Sequence, residues 1–167
     1  GHASHITIGA LKRAVHPESA FAGSIDEVKL FNRSLSASEI ANEYQMMSYG
    51  STEKDAQGSP APDIPVALWH FDDPSEATST FDFFGDHQSK LSNVTFAGGF
   101  LGTQGVLFNG NNATVITNFT QALNLSENFT YMARVSFNVS RDTAHYIISK
   151  GSGNGAGTFN MQIQKDN

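Results

Sequence analysis

Apolar and polar residues alternate along this chain in short stretches, and no other pattern in it constrains the fold so tightly. Over residues 158–164, Phe159, Met161 and Ile163 fall on one side of an extended backbone, while Asn160, Gln162 and Gln164 fall on the other. Successive side chains of a strand point to opposite faces, so this spacing predicts a half-buried strand. Similar patterns predict strands over 5–8, 24–31, 66–71, 105–108, 113–117, 129–137 and 146–150. Turns rich in glycine, asparagine and serine separate them, as in an antiparallel sandwich.

What holds such a sandwich together is narrowed by composition. The 167 residues suffice for one domain with a real core and are short for two. There is no cysteine, which removes disulfides, thiolate zinc sites and cysteine nucleophiles together. A net charge of −6 without a basic stripe disfavours nucleic acid and suits a cation such as calcium. No segment approaches the roughly twenty apolar residues that span a bilayer. The first residues also lack the basic and then apolar run of a signal peptide, so the chain reads as a mature or excised piece.

One helix announces its start. In Leu35-Ser36-Ala37-Ser38-Glu39-Ile40, Ser36 is placed as N-cap, Glu39 as its capping-box partner, and Leu35 against Ile40 as a staple. A helix is expected over 37–44 with Ile40 and Tyr44 turned to the body of the protein. Residues 46–65 carry Gly50, Ser51, Gly58, Pro60, Pro62 and Pro65 among small polar residues. Nothing there has a period that buries a face, so it reads as a linker.

Seven Asn-x-Ser/Thr sequons, at Asn32, Asn93, Asn112, Asn118, Asn124, Asn128 and Asn138, are more than chance supplies, and none has proline in the middle. A sequon accepts a glycan only on an exposed segment in a secretory pathway, so an extracellular glycoprotein is expected.

The run from Phe21 to Ile40, with its glycine, its Ile25-Asp26-Glu27-Val28 strand and its Leu35-Ser36-x-x-Glu39-Ile40 helix, closely resembles the closing motif of laminin G-like, concanavalin A-like jelly-roll domains. Val66-Ala-Leu-Trp-His-Phe-Asp72, Gly105-Val-Leu-Phe-Asn-Gly110, Phe129-Thr-Tyr-Met-Ala-Arg-Val135 and Ile147-Ile-Ser-Lys-Gly151 resemble the opening strands of the same family, in its usual order. The closing motif therefore comes first, and the family's middle strands are missing. The division is into residues 1–45 as closing strands and helix, 46–65 as linker, and 66–167 as opening strands. The resemblance implies an all-β, two-sheet antiparallel jelly-roll sandwich with one short helix.

A half-built sandwich leaves strand edges unpaired, which proteins avoid. Either the early strands close onto residues 66–71 of the same chain, or they complete a neighbour and build a filament or matrix by strand exchange. The family also implies a non-enzymatic adhesion or recognition module that binds a glycan or an extracellular protein. A glycan site would be sought near Asp72, Asp86 and residues 109–112.

Related jelly rolls use the aspartate matching Asp26 in a structural calcium site. Calcium takes six to eight oxygens, and Asp72 and Asp86, with Asp73 and Asp82 nearby in sequence, are the expected co-ligands. The competing reading has Asp26 capping a turn or paired with Lys29 or Arg33 at the surface. Glycosidase chemistry needs paired carboxyls facing one cleft, about 5 Å apart in the retaining enzymes. Asp26 and Glu27, adjacent on a strand, are expected on opposite faces, so no enzymatic activity is assigned. His2, His5, His16, His70, His87 and His145 show no metal-ligand spacing and are read as surface residues. The glycine-rich residues 151–157 read as a hairpin connection rather than a phosphate loop. Phe81, Phe83, Phe84, Phe96 and Phe100 read as core more than as a sugar platform, because phenylalanine lacks a polar handle.

Overall fold

The computed structural model describes residues 5–11, 20–49, 64–102, 104–118, 120–125, 128–137, 145–151 and 159–163. Among these, the elements in chain order are β1 (Ile6–Ile8), β2 (Ala22–Phe31), α1 (Ala37–Tyr49), β3 (Ala67–Trp69), β4 (Ser79–Phe81), β5 (Gln88–Ser92), β6 (Thr95–Ala97), β7 (Gly105–Asn109), β8 (Thr114–Thr117), a 3-10 turn (Gln121–Leu123), β9 (Thr130–Phe137), β10 (His145–Lys150) and β11 (Phe159–Ile163). One sheet runs β11-β10-β1-β8-β5-β4, and the other runs β3-β2-β7-β6 with β9 also on β2. Every pairing is antiparallel. The expected all-β, two-sheet sandwich with one helix is the fold.

Inward-facing side chains of both sheets make the core. Ile6, Ile8, Ile25, Val28, Leu30, Trp69, Val106, Phe108, Val115 and Ile148 are each at most 2 % exposed. The early strands lie inside the sheets rather than at their rims. β1 sits between β10 and β8, and β2 carries β9 along one edge with β7 and β3 in succession along the other. Val28 stands opposite Trp69, Lys29 opposite Leu68 and Leu30 opposite Ala67. The early segment and the segment after residue 63 thus pair within one chain.

Three strands, β4, β5 and β6, carry no alternation signal. In β5 the inward positions are Ser89 and Leu91, and Ser89 is buried with its hydroxyl 2.8 Å from that of Thr117. In β4 the inward residue is Thr80, whose hydroxyl donates to the Asp73 carboxylate at 2.6 Å. Small polar residues that satisfy one another can occupy inward positions without leaving an apolar period.

The capping box forms as expected. The Ser36 N–H donates to the Glu39 carboxylate at 2.5 Å, and the Glu39 N–H donates back to the Ser36 hydroxyl at 3.3 Å. With the Ser36 hydroxyl and Arg33 beside it, that N–H holds the Glu39 carboxyl down at about 2. The helix runs to Tyr49, past the expected end, so its last turn occupies the start of the expected linker; residues 50–63 of that linker lie outside the described residues. Ile40 and Tyr44 are not buried against the body, being 43 % and 65 % exposed, though Tyr44 meets Arg134 of β9. Glu43 is the buried contact, accepting from Lys29 Nζ at 2.7 Å. Val28 and Leu30 point into the core, so Lys29 between them points out, and the helix docks on that charge.

Replacing Trp69 with alanine should cost about 3–5 kcal/mol, because β3 loses its one large inward side chain. Urea unfolding measures this, and a loss under about 1 kcal/mol would mean that β3 is not seated on the core.

Candidate functional site

Between Ile25 and Val28 the strand β2 changes partners. Ile25 pairs with Val106 of β7, and Val28 pairs with Trp69 of β3, while the register to β9 slips between Asp26 and Lys29. Ile25 and Val28 both enter the core, so the two residues between them cannot alternate. The strand absorbs the surplus as a β-bulge, with Glu27 at a φ of 51° in the left-handed region. A non-glycine residue there costs about 1–3 kcal/mol, which the surrounding contacts must offset. Phe71, on the chain leaving β3, has a φ of 58°.

Two loops close over the bulge. The β6–β7 loop donates the Phe100 and Leu101 N–H groups to one Asp26 oxygen at 2.7 and 3.3 Å, and the Glu27 N–H donates to the other at 2.8 Å. Further along this loop, the Gln104 N–H donates to Asp72 at 2.9 Å and its side-chain amide donates to the Asp73 carbonyl at 2.9 Å. Glycine is required where the loop meets these carboxylates. A side chain at Gly99 would run into the Gln104 carbonyl and Asp26, and one at Gly102, with φ 73°, into the Asp72 carboxylate. Opposite Asp26 on β9 stands Arg134, with its guanidinium carbon 5.7 Å from the Tyr44 ring centroid and 5.8 Å from that of Phe100.

The second loop is the turn between β4 and β5. The Asp82 N–H donates to the His87 carbonyl at 3.1 Å, the His87 N–H to the Asp82 carboxylate at 2.7 Å and the Gly85 N–H to the Asp82 carbonyl at 2.9 Å. The Phe83 N–H ties this turn to the Leu68 carbonyl at 2.6 Å. Phe83 and Phe84 stand edge to face, 5.5 Å apart. Phe83 also meets the His70 ring edge to face at 5.4 Å and 89°.

His70 joins the two regions. Its Nδ1 lies 2.6 Å from the buried Glu27 carboxylate, while its side chain remains 37 % exposed. The hydrogen bond to Glu27 raises the imidazole above its ordinary value against the opposing effect of burial; the charges of Glu27 and Asp72 add to the rise, and Lys29 opposes it. Asp26 is raised mainly by burial, with the Glu27 charge adding and the three N–H donors pulling it down.

Several expectations change on these facts. Asp26 and Glu27 do not project from opposite faces of a regular strand; the bulge takes both out of the alternation, and the charge of one acts on the other. Asp26 pairs with neither Lys29 nor Arg33, whose partners are Glu43 and Glu39. Asp26 and Asp72 hold the same loop, whereas Asp86 is exposed on the β4–β5 turn and Asp82 is buried pinning that turn. Among the described residues, no three acidic or histidine side chains gather in one place. The reading of the phenylalanines as core is overturned for Phe81, Phe83, Phe84 and Phe100, which are exposed, while Phe96 packs against the core. They lie at loops and strand ends where the sheets do not cover them. Nor are all histidines at the surface. His87 and His145 are buried, the latter with Nδ1 2.8 Å from the Ala20 carbonyl, and His2 and His16 lie outside the described residues. Residues 109–112 form a turn closed by Asn109, whose side-chain oxygen accepts from the N–H groups of Asn111, Asn112 and Ala113. Residues 152–157 of the glycine-rich connection are outside the described residues. Asn32, Asn93, Asn112, Asn118, Asn124 and Asn128 are all exposed, and Asn138 is outside the described residues.

Among known proteins, the chain matches no family model, no curated protein and no solved structure.

The Glu27–His70 pair should be visible in a ring-proton NMR titration. His70 is expected to titrate above the ordinary histidine value of about 6.5, and Glu27→Gln should lower its midpoint. Because the folded value is raised, the pair's contribution to stability is full below the ordinary value and fades as pH rises through the raised one. A midpoint that Glu27→Gln leaves in place would contradict the assigned pairing.

Proposed function

We propose that this protein is a non-enzymatic extracellular recognition module whose ligand docks at the Glu27–His70 site. The observation that carries the reading is an oriented, half-exposed imidazole held by a buried carboxylate beside exposed Phe83. A polar group with a fixed direction next to bare aromatic surface is what recognition uses, and here it sits on loops pinned to a rigid sandwich. A non-enzymatic role is supported by the state of the carboxylates. Both Asp26 oxygens accept backbone N–H groups and Glu27 is engaged with His70, so neither stands open as an acid or nucleophile for glycoside cleavage. The extracellular setting is supported by the six exposed sequon asparagines, each accessible to a glycan without loss of core packing.

Protein isolated from a secreting eukaryotic host should lose mass on enzymatic deglycosylation. The same material should bind saturably to a surface array carrying both glycans and extracellular proteins. An unchanged mass would remove the extracellular argument, and a bare array would remove the recognition reading.

A further inference from the structure

We infer that the site takes an uncharged sugar ring, laid against Phe83 with a hydroxyl on His70; the inference rests on the recognition reading above. The first part of the argument is shape. Phe83 is 61 % exposed and Phe84 41 %, and the two rings meet nearly at right angles, at 83°. They form an apolar corner, with the His70 imidazole 5.4 Å from the Phe83 ring centroid at 89°. The C–H face of a pyranose covers one aromatic ring, and its hydroxyls project from the ring rim, where His70 offers a polar atom. Phenylalanine alone has no such handle, and His70 supplies it.

The second part is direction. Nδ1 is committed to Glu27, which leaves Nε2 as the remaining polar atom of the ring. Either protonation state serves a hydroxyl, which both donates and accepts. The turn bearing Phe83 is fixed by backbone bonds to Leu68, Asp82 and His87, so little ordering cost falls on binding.

The third part is charge. Glu27 is bonded to His70 and the charge of Asp72 also acts on it, and exposed Asp86 follows Phe83 on its turn. The lysine whose charge acts on His70 is Lys29, which is salt-bridged to Glu43 at 2.7 Å. Carboxylate or sulfate groups on a ligand would meet this acidic surround on a chain of net charge −6. A neutral saccharide avoids that repulsion.

The test compares wild type, Phe83→Ala, His70→Ala and Lys90→Ala on an array of uncharged oligosaccharides printed beside their sulfated and sialylated forms and beside extracellular proteins. Methyl glycosides of glucose, galactose and mannose are titrated in parallel while the His70 and Phe83 ring signals are followed by NMR. The Phe83 and His70 side chains lie outside the core, and thermal melting verifies that each variant is folded. Wild type should bind at least one uncharged glycan more tightly than its charged forms, with both ring signals shifting. Phe83→Ala and His70→Ala should each weaken this at least about tenfold, while Lys90→Ala leaves it unchanged. Preference for charged glycans, or full affinity in Phe83→Ala, overturns the inference. Binding to extracellular proteins but to no glycan overturns it and leaves the recognition reading standing. Binding to nothing on the array ends both.

Discussion

The rest of the molecule depends on one strand having three neighbours. β2 is flanked by β9 along one edge and by β7 and then β3 along the other, so it supplies the pairing that makes those strands a sheet. Its inward residues, Ile25, Val28 and Leu30, are at most 1 % exposed and pack beside Trp69 and Phe108. Without β2, β3 and β9 would each lose the partner that satisfies their backbone groups. In a chain without disulfides, this pairing, made across a long sequence separation, is the main restraint joining the early segment to the rest. β1 repeats the arrangement in the other sheet, bonded on both edges to β8 and β10.

The candidate site is a by-product of that arrangement. A strand that serves two successive partners on one edge and one continuous partner on the other must reconcile two registers, and the slip falls between Asp26 and Lys29. The bulge displaces Asp26 and Glu27 from the alternation. Two buried carboxylates then need partners, which the chain provides with loop N–H groups for Asp26 and an imidazole for Glu27. Strain at Glu27, the glycines in the β6–β7 loop and the exposed rings of the β4–β5 turn all gather around this one irregularity. Architecture and candidate site share a cause, and the irregularity gathers these groups where the sheet cannot be regular.

Much of the sandwich is legible in the sequence because its strands alternate. Phe159, Met161 and Ile163 in β11 show a clean period of two, and Ser36 with Glu39 marks the helix start as found. β4 and β5 escape notice because Thr80 and Ser89 take inward places through hydroxyl hydrogen bonds. The helix face is misassigned because periodicity ranks Ile40 and Tyr44 as the buried pair, whereas the outer face of β2 offers Lys29, and Glu43 answers it. Asp26 can be singled out from a motif, but its role cannot. Its ligands are N–H groups of Phe100 and Leu101, and backbone donors carry no sequence signature. Glu27 with His70 is invisible for a related reason: their proximity depends on where β2 changes partners, which no local pattern encodes.

The claim that the first strands and the later ones form one core is tested most directly by cutting between them. A protease site inserted among residues 50–63 and cleaved in the folded protein leaves two fragments joined only by non-covalent contacts. Native mass spectrometry should find them still bound one to one, with the amides of Ile25, Leu30 and Trp69 protected from hydrogen exchange as in the uncut chain. Fragments that separate under native conditions, with those amides exchanging freely in whichever piece carries them, would contradict the account.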